Sequence, residues 1–217
     1  MKGEPHNSRK ARKSNWIIDE SKCLTMEEFK KLRATSKRLK VIGNREKRFT
    51  LIRNWFMIDL GLNAGLRVTE MASLKHKHLV IDGTKSTIKV FGKGQKWRSV
   101  VISASFKKDC RSYIDHKDRF GFDTNDESFL LNNLKNSRIS KRALQKFFEQ
   151  IIGQLKFSNH YSIHSLRHTY ATFLLRASNY NYRFTQIQLG HSSIRSTQVY
   201  AGVIEADGRQ AVEKLYK

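Results

Sequence analysis

Between His78 and Ile102 the hydrophobic pattern of the chain drops to a period of two, while the apolar positions on either side recur at helical spacing. Leu79-Val80-Ile81, Thr87-Ile88-Lys89-Val90 and Arg98-Ser99-Val100-Val101-Ile102 are separated by Asp82-Gly83 and by Gly92-Lys93-Gly94. That alternation, broken at glycine turns, predicts a small antiparallel meander. Ahead of it, Thr25 followed by Glu28 is a capping box for an amphipathic helix carrying Phe29 and Leu32. Leu51, Ile52, Trp55, Phe56, Ile58 and Leu62 make a second helix, which stops between Asn63 and Gly65, and a short third helix runs from Thr69 to Leu74. Beyond the meander, Ser140 caps a helix with Ala143, Leu144, Phe147, Phe148, Ile151, Ile152 and Leu155 on one stripe. Ser162 precedes another that buries Leu166, Ala171, Leu174 and Leu175. Residues 181–200 read as two short helices broken at Gly190. With no internal repeat, low-complexity tract or proline-rich linker, the expectation is one α+β domain, mostly helical with a small antiparallel sheet.

The charge of that domain limits what it meets. Among 217 residues, Lys and Arg number 42 and Asp and Glu 19, so 42 − 19 leaves +23. Self-repulsion of this size calls for a polyanionic partner, most simply nucleic acid. A hydrophobic content of 39% excludes a disordered basic tail. Residues 1–15 carry Lys2, Arg9, Lys10, Arg12 and Lys13 and the only proline, Pro5, and read as a mobile basic arm. Cys23 and Cys110 stand 87 positions apart with no C-x-x-C pattern, which gives neither a disulfide scaffold nor a zinc ribbon and fits a reducing cytoplasm. No apolar run reaches the roughly 20 residues that span a bilayer, and the first residues lack the apolar region of a signal peptide. No membrane partner is expected.

Three basic clusters sit at structural breaks: Ala64-Gly65-Leu66-Arg67-Val68-Thr69-Glu70, Gly92-Lys93-Gly94-Gln95-Lys96 and His164-Ser165-Leu166-Arg167-His168. Leu189-Gly190-His191-Ser192-Ser193 follows, with Tyr200 nine residues after His191. Arginine grips two phosphate oxygens at once, and a lysine on a glycine-flanked turn approaches a backbone unobstructed, so the set reads as a phosphate site. No paired carboxylates mark a two-metal nuclease and no G-x-x-x-x-G-K-[ST] loop marks an NTPase. His164 and His168 at i, i+4 lack the glutamate of an H-E-x-x-H zinc site, so no metal is expected and His168 is placed inside the fold.

The ordered set Ala-Gly-Leu-Arg-x-x-Glu, Gly-Lys-Gly-x-Lys, His-x-Leu-Arg-His, Leu-Gly-His and the spaced tyrosine resembles the tyrosine recombinase (phage integrase) family from about Leu24 to the end of the chain. The resemblance implies a site-specific recombinase that cleaves and rejoins double-stranded DNA through a 3′-phosphotyrosyl intermediate, with no cofactor, metal or ATP. The resemblance also implies assembly as a homo-oligomer, a tetramer, on DNA. Arg67 and Arg167 would clamp the phosphate, Lys93 would be the general acid for the leaving 5′ oxygen, and His164 the acid/base partner. His191 would be a second hydrogen-bonding imidazole, Tyr200 the nucleophile, and Glu70 the acidic support behind them. A relaxing topoisomerase of type IB and a non-catalytic DNA-binding relative are the alternatives. Members commonly carry a helical core-binding domain ahead of the catalytic one, so the division expected here is an arm, residues 1–23, and a catalytic domain, residues 24–217, without it. Between Asn179 and Gly190, Thr185, Ile187 and Gln188 invert the family's usual apolar and polar positions, which predicts a shifted or loosely packed helix.

Overall fold

The computed structural model describes residues 22–84, 86–92 and 96–190. Seven helices and a three-stranded sheet follow in the order α1 (Met26–Arg45), α2 (Phe49–Ala64), α3 (Val68–Ser73), β1 (Leu79–Val80), β2 (Thr87–Phe91), β3 (Trp97–Val101), α4 (Ala104–Arg119), α5 (Lys141–Leu155), α6 (Ile163–Ala177) and α7 (Tyr182–Leu189). The basic arm and everything after Gly190, including the second short helix expected there, lie outside the described residues.

Local chemistry sets most of these boundaries. The Thr25 hydroxyl accepts from the Glu28 amide at 3.2 Å and the Glu28 carboxylate accepts from the Thr25 amide at 2.9 Å, the capping box expected at α1. Helix α2 is the centre of the fold: Ile52, Trp55, Phe56, Met57, Ile58 and Leu60 are all but fully buried, and α1, α4 and α6 pack around it. It ends at Gly65, whose φ of 58° is a left-handed cap that a side chain resists. A Cβ there would also lie 2.2 Å from Tyr170 Cδ1, so α6 can seat against this turn only because the residue is glycine.

The meander forms as expected, with β2 at the centre and both pairings antiparallel. Ile88, Val90 and Val100 point into the core and Lys89, Phe91, Trp97 and Val101 point outward. Helix α4 was not foreseen. Its buried stripe is Phe106, Cys110, Tyr113 and Lys117, which is helical spacing but carries only two large apolar side chains, set among charges. Its anchor is a parallel stack of Tyr113 on Phe56 with centroids 4.0 Å apart. Ser140 caps α5 as expected, although Ala143, placed on its buried stripe, is exposed because the stripe begins one residue later at Leu144. On α6, Leu174 is half-buried and His168 packs inward, also half-buried.

The inverted pattern of α7 has a different outcome from the loose packing expected. Thr185 and Gln188 are buried and Ile187 is exposed, so the helix presents a polar face to the domain and satisfies it with hydrogen bonds. The Gln188 Oε1 accepts from the Val101 amide at 3.0 Å, which covers the open edge of β3, and the Thr185 hydroxyl donates to the Asn181 carbonyl at 3.1 Å.

Lys117 is fully buried, its ammonium donating to the Phe129 carbonyl at 2.6 Å and to His76 Nε2 at 2.8 Å. Burial and the Lys117 charge push His76 down to about 4. Between pH 6.5 and 4 the unfolded chain therefore binds a proton at this histidine that the folded chain refuses, so His76 withdraws stability as pH falls. Asp59, raised to about 6 chiefly by burial, acts in the opposite sense. A single-site comparison separates the two. Thermal unfolding of His76→Gln should show the variant less stable than the wild type at pH 7, with the gap closing by pH 4.5. A gap that is constant with pH would mean that His76 does not titrate in this range.

Candidate active site

A buried carboxylate organises the site. Glu70 lies in the first turn of α3, and its side chain is only 4% exposed. Its two oxygens accept four hydrogen bonds: from the Arg67 amide at 2.8 Å, Arg67 Nη1 at 2.9 Å, Arg98 Nη1 at 2.8 Å and Arg98 Nη2 at 2.9 Å. Arg167 Nη1 stands 4.0 Å away. Burial alone would raise the Glu70 carboxyl, but the Arg98 hydrogen bonds and charge, the Arg67 amide and the Arg167 charge outweigh it and hold the group below the ordinary carboxylate range. Three guanidiniums against one carboxylate leave 3 − 1 = 2 positive charges in a partly desolvated place.

Each arginine is held differently. Arg67, just after the Gly65 turn, is the most open, with 32% of its side chain exposed against 11% for Arg98 and 7% for Arg167. Arg167 comes from the second turn of α6 and reaches across the domain. Its Nη1 donates to the Gly65 carbonyl at 2.7 Å and its Nη2 to the Leu189 carbonyl at 2.8 Å. Those carbonyls belong to the ends of α2 and α7, where backbone oxygens lack intrahelical partners and the helix dipole is negative. One guanidinium thus fastens two helix ends together while remaining beside Glu70.

Arg98 is the residue that sequence reading missed. It sits on the inward face of β3, opposite Val90, where alternation predicts an apolar side chain. Besides Glu70, it reaches α7 through Nε, which donates to the Gln188 carbonyl at 3.2 Å. Two glycines press against it. A Cβ on Gly92 would lie 3.3 Å from its Nη1 and 3.8 Å from Glu70 Oε1, and a Cβ on Gly190 would lie 2.6 Å from its Cδ. Gly92 immediately precedes Lys93, and Gly190 immediately precedes His191. The one available signal was the charge itself, an arginine at an inward strand position.

The structure brings Arg67, Glu70 and Arg167 together as the sequence motifs expected. His164 lies one helical turn before Arg167 on α6 and is exposed. Desolvation, then the Arg167 and Arg67 charges, push its imidazole below the ordinary histidine range, so it is neutral at pH 7 and able to accept a proton. Lys93, His191 and Tyr200 lie outside the described residues. Tyr170, whose ring rests on Gly65, is raised to about 12 by burial, which keeps it a neutral phenol. Among the described residues no group of three or more His, Cys, Asp or Glu side chains could hold a metal ion, and no helix is long and apolar enough to cross a membrane.

The phage integrase family model matches residues 22–206. A tyrosine recombinase XerC from Caldanaerobacter subterraneus subsp. tengcongensis is 34% identical over 166 residues, covering 75% of this chain and 44% of that protein. Tyrosine recombinase XerC from Escherichia coli O157:H7 is 34% identical over 149 residues, covering 69% of this chain and 48% of that one. The chain therefore spans about half the length of the curated relatives it matches. Among solved structures, the XerH site-specific recombinase bound to palindromic difH substrate, a post-cleavage complex, superposes with a TM-score of 0.71 at 24% identity over 90% of this chain and 53% of that one. The XerA recombinase superposes with a TM-score of 0.65 at 26% identity, over 87% and 64% of the respective chains.

Removing the carboxylate leaves buried guanidiniums facing one another. Glu70→Ala should lower unfolding stability by about 3–5 kcal/mol in urea titrations, the usual cost of deleting one partner of a buried ion pair. A loss under about 1 kcal/mol would mean that the arginines are held apart without it.

Proposed function

Because the chain belongs to the phage integrase family, we propose that it cleaves and rejoins double-stranded DNA at specific sites through a phosphotyrosyl intermediate formed on Tyr200. The observation that carries this reading is the Glu70-centred cluster, whose three guanidiniums, the open Arg67 among them, keep a net two positive charges. A phosphodiester carries one negative charge and gains another in its pentavalent transition state. Cations already in place therefore stabilise that state more than the ground state. Arg67, the most exposed of the three, meets a non-bridging oxygen directly, and Arg167 adds its charge from behind, fixed by the Gly65 and Leu189 carbonyls.

The chemistry proceeds by exchange of bonds at phosphorus. The Tyr200 oxygen attacks, the bond from phosphorus to the 5′ oxygen breaks, and the phosphate stays joined to the 3′ side. A phenol is a weak nucleophile at neutral pH, and the neutral His164 imidazole beside two arginines can take its proton. Lys93, the residue after Gly92 in the sequence, gives a proton to the departing 5′ alkoxide. The phosphotyrosyl bond retains the energy of the broken linkage, so a 5′ hydroxyl of another strand can reverse the sequence and reseal the DNA. His191 supplies a further hydrogen bond to the phosphate. Residues 24–217 form the strand-cleaving domain in this reading, and exchange between two duplexes requires several copies, assembled as a tetramer on DNA. The steep positive charge of the chain, +23, suits that partner.

The test is a suicide-substrate assay on nicked duplexes drawn from the sequences flanking the gene. Wild type should form a covalent protein–DNA adduct, and Tyr200→Phe should form none while binding DNA within a few fold of wild type. Arg67→Ala or Arg167→Ala should slow adduct formation by roughly 10²- to 10³-fold, the scale for one preorganised transition-state donor. An adduct that survives Tyr200→Phe would assign the nucleophile elsewhere. Binding without any adduct would leave a DNA-binding protein, and relaxation of supercoils without strand exchange would leave a topoisomerase.

A further inference from the structure

The sheet buries one face and leaves the other uncovered among the described residues. On the outer face, Phe91 is paired in register with Trp97, and Lys89 with Ser99. Phe91 is 50% and Trp97 57% exposed, a large apolar surface to leave in water. The rings are arranged rather than scattered. Trp97 meets His78 edge-on, with centroids 5.1 Å apart and planes at 67°, and meets Phe91 at 5.2 Å and 53°. The His78 ring is itself fixed, its Nδ1 accepting from the Lys75 amide at 3.1 Å. Lys77, His78, Lys89, Trp97, Arg98 and Ser99 line a cavity of about 500 Å³ here, and no described acidic side chain is among them. Lys77 is bridged to Glu127 and Arg98 to Glu70, which leaves Lys89 as the lining cation with no acidic partner among the described residues.

A ligand that satisfies this lining needs a flat apolar face for the rings and an anion for Lys89. A nucleotide has both. In a duplex the base faces are already stacked on one another, so a recessed aromatic wall favours a nucleotide that has left its pair. The cavity also adjoins the cluster around Glu70: Arg98 forms part of its wall and at the same time binds the Glu70 carboxylate. We propose that the trough formed by His78, Trp97, Phe91 and Lys89 is a stacking site for unpaired nucleotides of DNA, and that it receives the strand end set free when the adjacent phosphodiester is opened. The proposal rests on the strand-breaking function given above, since that reaction supplies an unpaired end at this place. The trough gives the released strand somewhere to wait in register, instead of leaving it to diffuse.

The experiment measures binding of a fluorescent oligo-dT and of a duplex of equal length to the full chain and to Trp97→Ala, Trp97→Phe and Lys89→Gln. Stacking on one aromatic side chain predicts a roughly 5- to 100-fold loss of oligo-dT affinity in Trp97→Ala, with Trp97→Phe retaining most of it. Lys89→Gln should lower the oligo-dT affinity less and flatten its salt dependence. Duplex affinity and the thermal midpoint should stay close to wild type, because Trp97 is outside the core. Unchanged oligo-dT binding in Trp97→Ala would overturn the proposal, as would equal losses for oligo-dT and duplex. Loss of self-association with oligo-dT binding intact would assign the face to a second copy of the chain and overturn it equally. The same variants run on the nicked duplex keep the two readings apart. Wild type that forms no adduct sinks the strand-breaking function, whereas adduct formation with no effect of Trp97 on single strands sinks the stacking site alone.

Discussion

A carboxylate taken almost wholly out of water, and kept charged, is the condition on which the rest of this site depends. Burying an ion costs several kcal/mol unless its lone pairs are filled, and Glu70 meets that requirement with four donors from two arginines. The stabilisation runs both ways. Arg67 and Arg98 converge with Arg167 only because a negative charge sits between them, and the excess of two positive charges is what remains available to a phosphate. The cluster is therefore prepared before any ligand arrives, so that little reorganisation is needed when charge develops in a transition state.

The same arginines hold the polypeptide together at points where helices stop. Gly65 and Gly190 both adopt left-handed caps, which turn the chain sharply and leave carbonyls without intrahelical partners. Arg167 bonds to Gly65 and Leu189, and Arg98 bonds to Gln188, so the ends of α2 and α7 are tied to α6 and β3 through guanidinium groups. The Gln188 side chain adds a bond to the edge of β3. Packing around the site is consequently polar and directional where most of the domain is apolar. A disturbance at Glu70 reaches β3 and α7 through the hydrogen bonds of Arg98, and α6 through the charge of Arg167.

Much of this was legible in the sequence because the chemistry is local. Thr25 with Glu28, Gly65 after an apolar run, and the shift to period two each fix a boundary from residues a few positions apart. Arg67 and Glu70 are likewise one helical turn from each other, so their pairing is written in the spacing. What was not legible depends on partners far along the chain. Arg98 is 28 positions from Glu70 and 90 from Gln188, and on a strand its charge looks like surface. The buried polar face of α7 reads as a broken pattern until β3 and Arg98 are beside it. Helix α4 escaped because two aromatic side chains and a buried Lys117 carry its inward face, and a lysine counts as polar until its carbonyl and imidazole partners are known.

Whether the guanidiniums act as one unit built on Glu70 is decided by a double-mutant cycle on single-turnover adduct formation, using Glu70→Gln, Arg98→Gln and the two together. A single unit predicts that either substitution causes nearly the whole loss, with the double variant within about threefold of the slower single one. Losses that multiply, so that the double variant falls by the product of the two single effects, would contradict it: Glu70 and Arg98 would then serve the reaction independently.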